Sequence, residues 1–121
     1  MSFQVSTTRL PQFVKLTVSG PNSIKSFVEL IDSVAEETAL WGDRRLMVDL
    51  RAVEGALTPP EQVFLGELVA QSFPHMERVA SVVPSEQITH NSETAARDLG
   101  MQLRVFASEE EATEWLRSGL P

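Results

Sequence analysis

Residues 48–62 read VDLRAVEGALTPPEQ, and Thr58, Pro59, Pro60 and Glu61 bring a hydroxyl, two rigid imides and a carboxylate to one corner. Thr58 as N-cap, Pro59 at the first helical position and Glu61 at the third make a capping box with a preorganised start, a feature typically worth ~1 kcal/mol. The same corner follows the carboxyl end of an apolar segment, where open α/β sheets bind ligands beside helix N-termini. Residues 51–57 are therefore a candidate ligand or partner loop. A phosphate on Thr58 would sit favourably at the positive end of the helix, within reach of Arg51. Cap, recognition loop and phosphosite are three open readings of one stretch.

The other residues with chemical potential are scattered. His75 follows Pro74 and His90 lies in a loose polar segment, neither with a second ligand at metal spacing, so both read as surface or capping histidines. The carboxylates of SEEEATE fall in a first helical turn, where they complement the dipole, and are not read as an acid–base pair. No Gly-x-Ser-x-Gly elbow and no Gly-rich phosphate loop occurs; Ser19-Gly20-Pro21-Asn22 lacks the lysine and the glycine spacing. The expectation is a protein that is not an enzyme and uses no cofactor or metal.

The elements that must position these residues follow from periodicity. Phe3, Val5 and Thr7 alternate with polar neighbours, as do Val14, Leu16 and Val18 after a turn at Leu-Pro-Gln, giving a first hairpin. From Ile24 the spacing changes to that of one helical face through Phe27, Val28, Ile31, Val34, Ala35 and Thr38, capped by Asn22 or Ser23 and ended by Trp41-Gly42-Asp43. RLMVDL is a short apolar run of the kind covered by helices on both faces, and is expected to be central. Arg44 and Arg45 before it read as a solvated strand start. A second helix is predicted over 59–73, with Val63, Phe64, Leu68 and Val69 near one face. RVASVV is the next strand, 92–99 the next helix with Gly100 closing it, and QLRVF the last strand. Ser108 and Glu111 then form a capping box for a final helix ended by Gly119. Trp41 reads as a core edge or, if exposed, a partner anchor, and Trp115 as a core residue.

The order ββαβαβαβα implies an α/β fold: one domain over residues 1–121, with a mixed, mostly parallel five-stranded sheet and about four helices. A chain of 121 residues buries roughly two-thirds of its unfolded surface, enough for one core. With no cysteine, disulfides, thiolate zinc sites and a thiol nucleophile are excluded, and a cytoplasmic location is the default. Neither a signal peptide nor a membrane span of roughly 20 apolar residues is expected. Ten Lys and Arg against seventeen Asp and Glu give a net charge of −7, which disfavours nucleic acid and anionic lipid surfaces.

Three stretches, RRLMVDLRAV, ERVASVVP and LRVFASEEEATEWL, resemble the SpoIIAA-like proteins of bacteria, a family related in fold to STAS domains and to the CRAL-TRIO lipid-binding fold. The resemblance runs from the first hairpin to Leu116. In STAS anti-sigma factor antagonists a strand ends in Asp followed by a hydroxyl residue, and a serine in an Asp-Ser pair at a helix start is phosphorylated to control binding to a kinase. By that resemblance Asp49 is the strand-end aspartate and Thr58 falls at the phosphoacceptor position. Arg51 stands where a hydroxyl residue is usual, Leu57 replaces the acidic residue, and Pro59-Pro60 replaces the small residues.

Two expectations for function follow. One is a binding module that takes a small apolar ligand beneath the first two helices, as the lipid-binding relatives suggest, or a protein partner through loops bearing Asp49, Arg51, Thr58 and Ser85. The other is a phospho-switch centred on Thr58. A homodimer is expected, with the first strand as an exposed edge.

Overall fold

The computed structural model describes residues 3–119. β1 (Gln4–Arg9) and β2 (Val14–Pro21) form the hairpin, its turn closed by Leu10 N–H donating to Phe13 O at 2.9 Å. There follow α1 (Ile24–Trp41), β3 (Arg45–Glu54), α2 (Pro59–Ser72), β4 (Arg78–Val82), α3 (Asn91–Asp98), β5 (Leu103–Phe106) and α4 (Glu109–Arg117). The sheet runs β1-β2-β3-β4-β5, with β1 antiparallel to β2 and the rest parallel. The predicted α/β order and the central place of β3 are both present. β1, at the sheet edge, is exposed along its whole length.

Each parallel crossover is right-handed by default, so strands laid down in sequence put their connecting helices on one face. Accordingly, α1, α2 and α3 pack against Val14, Leu16, Val18, Leu46, Val79 and Leu103. The opposite face is covered by α4, whose Ala112 and Leu116 lie against Met47, Ala80, Val82 and Phe106. Both faces of the central strands are thereby dry, which is why RLMVDL reads as a run and not as an alternation.

Local chemistry sets the element ends. Ser23 Oγ accepts from Ser26 N–H and caps α1, while Asn22 Nδ2 donates instead to Ala56 O. Gly42, at φ 72°, closes the same helix with its N–H bonded to Ala39 O, and Asp43 N–H bonds to Thr38 O. Only a residue tolerant of the left-handed region serves there. Ser108 accepts from Glu111 N–H as expected of an N-cap.

Four sequence expectations need correction. β3 runs on to Glu54, so residues 51–54 of the expected loop are strand and only residues 55–57 are loop. The apolar stripe of α2 is rotated: Leu65 and Gly66 are buried, with Leu68 and Val69 packed beside them, whereas Val63 and Phe64 are exposed. Gly66 explains the rotation. A Cβ there would overlap Ser92 O and lie 2.9 Å from Ser92 Cα, so α2 meets α3 by backbone contact that favours the glycine over the larger side chains nearby. Arg45 is not solvated but buried, with its guanidinium donating to Leu116 O, to Ser118 O at 2.8 Å and to Glu77 Oε1 at 3.2 Å. It thus satisfies carbonyls at the C-terminal end of α4 that have no helical partner. Trp41 is 66% exposed, beneath the Arg9 guanidinium at 4.2 Å from the ring centroid, and Trp115 is half-buried against Phe106.

Candidate functional site

The predicted site residues divide between the two faces of the sheet. Asp49 ends the regular part of β3 and turns toward the α4 face, where it is buried. Its Oδ1 accepts from Arg51 N–H at 3.1 Å and Arg51 Nε at 2.9 Å, and its Oδ2 from Arg51 Nη2 at 2.8 Å. Arg51 Nη2 also donates to Glu109 Oε1 at 3.0 Å, and Lys15 Nζ donates to Glu109 Oε2 at 2.9 Å. Two acids and two bases thus alternate in one chain from β3 through the start of α4 to β2. The Arg51 hydrogen bonds hold the Asp49 carboxyl below the usual carboxylate range, against the opposing effect of burial, and Lys15 adds to the lowering.

Thr58 belongs to the other side, at the start of α2. Its N–H donates to Glu61 Oε1 at 2.9 Å and its Oγ1 accepts from Glu61 N–H at 3.4 Å, which completes the predicted capping box. The hydroxyl also donates to Glu61 Oε1 at 3.0 Å. The Arg51 guanidinium is engaged by Asp49 and Glu109 instead of by Thr58. Ser85 opens a short 3₁₀ turn after β4, exposed, with its hydroxyl 3.5 Å from Glu86 Oε2. The four residues named from sequence do not form one cluster.

Beneath the first two helices, where the resemblance puts a small apolar ligand, there is a cavity of about 390 Å³ between the sheet and its three-helix face. Leu16, Val48 and Val79 form part of its floor, Phe27, Ile31 and Leu65 part of its roof. This volume lies in the range of small-molecule sites, which are concave and mostly apolar with few polar groups. A bulge in β3 helps shape it. Between Thr17 and Ser19 of β2 the register shifts, so that Thr17 pairs with Asp49 but Ser19 with Ala52. The extra residue lets Val53 join Val48 and Leu50 on the cavity side, although simple alternation from those two would turn it away.

The mouth is built from the carboxyl ends of the strands. Gln62, one turn into α2, is its hub: Nε2 donates to Leu57 O at 3.0 Å, while Oε1 accepts from Thr89 Oγ1 at 2.8 Å and Asn91 Nδ2 at 2.7 Å. These bonds tie the loop before α2 to the loop before α3. Glu86, Gln87 and Thr89 also line the opening. Gln62 looked in sequence like one more helix polar residue, and no periodicity could assign it this role.

The histidines do other work. His75 Nε2 lies 2.8 Å from the Thr38 hydroxyl, itself donating to Val34 O at 2.7 Å. His90 Nδ1 lies 2.8 Å from Glu93 Oε2, whose other oxygen accepts from Val105 N–H at 2.6 Å. Among the described residues no three His, Cys, Asp or Glu side chains gather at a metal-binding distance. No helix among them is long and apolar enough to cross a membrane.

Comparison with known proteins agrees with this architecture. An anti-sigma factor antagonist from Mycobacterium paratuberculosis superimposes with a TM-score of 0.65 at 13% identity, over 96% of this chain and 95% of that one. An uncharacterised protein of the DUF3478 family with a SpoIIAA-like fold, from Shewanella loihica PV-4, gives 0.58 at 17% identity, over 95% and 93%. At these identities the likeness is one of fold. No curated protein sequence matches the chain. The SpoIIAA-like family model matches residues 13–117, which take in β2 to β5 and all of α1 to α4, and the chain belongs to the SpoIIAA-like family.

Proposed function

We propose that this chain is a non-enzymatic binding module whose ligand is a small apolar molecule held between the sheet and α1 and α2. The observation that carries the reading is the 390 Å³ cavity with its mostly apolar floor and roof and only a few polar side chains among its lining. At about 30 Å³ per water-sized group, it takes on the order of a dozen non-hydrogen atoms. A ten-carbon chain moved from water into such a lining gains about 8 kcal/mol at ~0.8 kcal/mol per methylene. Loss of ligand freedom subtracts at least about 4 kcal/mol, so decyl chains are expected to bind in the millimolar range or more weakly. The test is native mass spectrometry of protein purified from its own host. An added mass lost on denaturation supports the reading. An empty chain that no decyl compound stabilises against heat overturns it.

A second reading is favoured by the fold shared with an anti-sigma factor antagonist, which points to a protein partner. In that reading Thr58 is the phosphoacceptor at an exposed helix start, and the loops bearing Ser85 and residues 55–57, with the end of β3 at residues 51–54, face the partner. Phosphopeptide mapping of the same host-purified protein tests it. A phosphate on Thr58 supports the switch, and a Thr58→Glu variant that keeps every interaction of the wild type contradicts it.

A further inference from the structure

The cavity has a charge and hydrogen-bonding character of its own, and the inference drawn from it rests on the ligand-binding reading. Among the described residues lining the cavity, Glu86 is the one ionisable group, and no Lys, Arg or His is present. A buried anion without a partner cation is strongly disfavoured, and the chain's net charge of −7 adds to the repulsion.

Of the donors that could replace a cation, the Asn22 and Gln62 carboxamides each have one of their two N–H groups already engaged. The carboxamide nitrogen of Asn22 donates to Ala56 O at 3.0 Å and that of Gln62 to Leu57 O at 3.0 Å. The adjoining start of α2 offers little more, because Pro59 and Pro60 carry no N–H and the N–H groups of Thr58 and Glu61 are satisfied within the capping box. A helix N-terminus that usually attracts anions is closed to them here. Acceptors, in contrast, are in surplus. Asn22 Oδ1, in the cavity wall, is buried without a hydrogen-bond partner, and the Glu86 carboxylate stands at the opening. The hydroxyls of Ser81 and Ser92 and the carboxamide of Gln87 can act either way.

We infer that the cavity selects an aliphatic molecule bearing a neutral or cationic donor, an alcohol or amine, and rejects carboxylate and phosphate amphiphiles. Chain length is set by the volume, while the head group is set by the acceptor-rich, cation-free mouth.

The experiment compares 1-decanol, decylamine and decanoate as probes by ligand-observed NMR titration at about pH 7.5, where a carboxylate is ionised. The expected result is at least tenfold weaker binding of decanoate than of either donor-bearing probe. Decanoate binding as tightly as decanol overturns the inference while leaving an apolar cavity site in place. Failure of all three to bind overturns the binding reading itself. Glu86→Lys, an exposed substitution with little cost to folding, supplies the second variant. Its expected effect is severalfold tighter decanoate binding and severalfold weaker decylamine binding, and an unaltered order of preference contradicts the electrostatic basis of the selection.

Discussion

Asp49 is held by three hydrogen bonds from Arg51, and Arg51 is shared with Glu109, so the pair joins the end of β3 to the first turn of α4. Because the folded Asp49 carboxyl titrates below its unfolded value, the contact stabilises the fold at pH above the unfolded range. That contribution is lost as pH falls through the depressed folded value. Asp49→Asn is therefore expected to be less stable at neutral pH by on the order of 1–3 kcal/mol. The difference should narrow below about pH 4. Urea denaturation midpoints across pH check this, and a gap that does not change with pH contradicts it. Thr58→Ala is expected to lower stability by about 1 kcal/mol without altering decanol binding, since the hydroxyl caps α2 and is not a cavity wall. Thr58 was legible because a capping box is local in sequence. Arg45 was not: the carbonyls that it satisfies lie at Leu116 and Ser118, more than seventy residues away, and burial of its guanidinium depends on α4 returning to the sheet.

At the scale of elements, the helix-on-sheet packing depends on how closely α2 and α3 approach. In an exposed helix interior, Gly→Ala gains about 1 kcal/mol. At Gly66 the sign reverses, because the new Cβ overlaps the Ser92 carbonyl oxygen and backbone must shift. Gly66→Ala is expected to destabilise by about 1–3 kcal/mol, as overpacking does. Equilibrium unfolding measures it, and a more stable variant would show that α3 moves away freely. The strands and helices were legible since each carries its own period and caps, and even the closing glycines at 42 and 100 adopt the positive φ expected of them. The face of α2 was not, because Phe64 and Val63 are as apolar as Leu65, and only the contact at Gly66 decides which side turns inward. The bulge after Asp49 was equally hidden, being a mismatch between two strands and a property of neither alone.

For the whole molecule, sequential parallel strands and right-handed crossovers place three helices on one face and α4 on the other, and the two faces differ in chemistry. The α4 face is sealed by packing and a charged chain through Lys15, Glu109, Arg51 and Asp49. The three-helix face encloses the cavity. Sequence patterns supplied the element order and the family resemblance put an apolar ligand beneath the first two helices, whereas the cavity's volume and lining are the space that side chains leave between elements and have no sequence period. The most direct measurement of the central claim is methyl NMR of the protein with 1-decanol, read as ligand-to-protein NOEs. The account predicts NOEs to Val48, Leu65, Val69 and Leu103, and none to Val82 beneath α4. NOEs confined to Val82 and the α4 face, or no NOE at saturating probe, would contradict it.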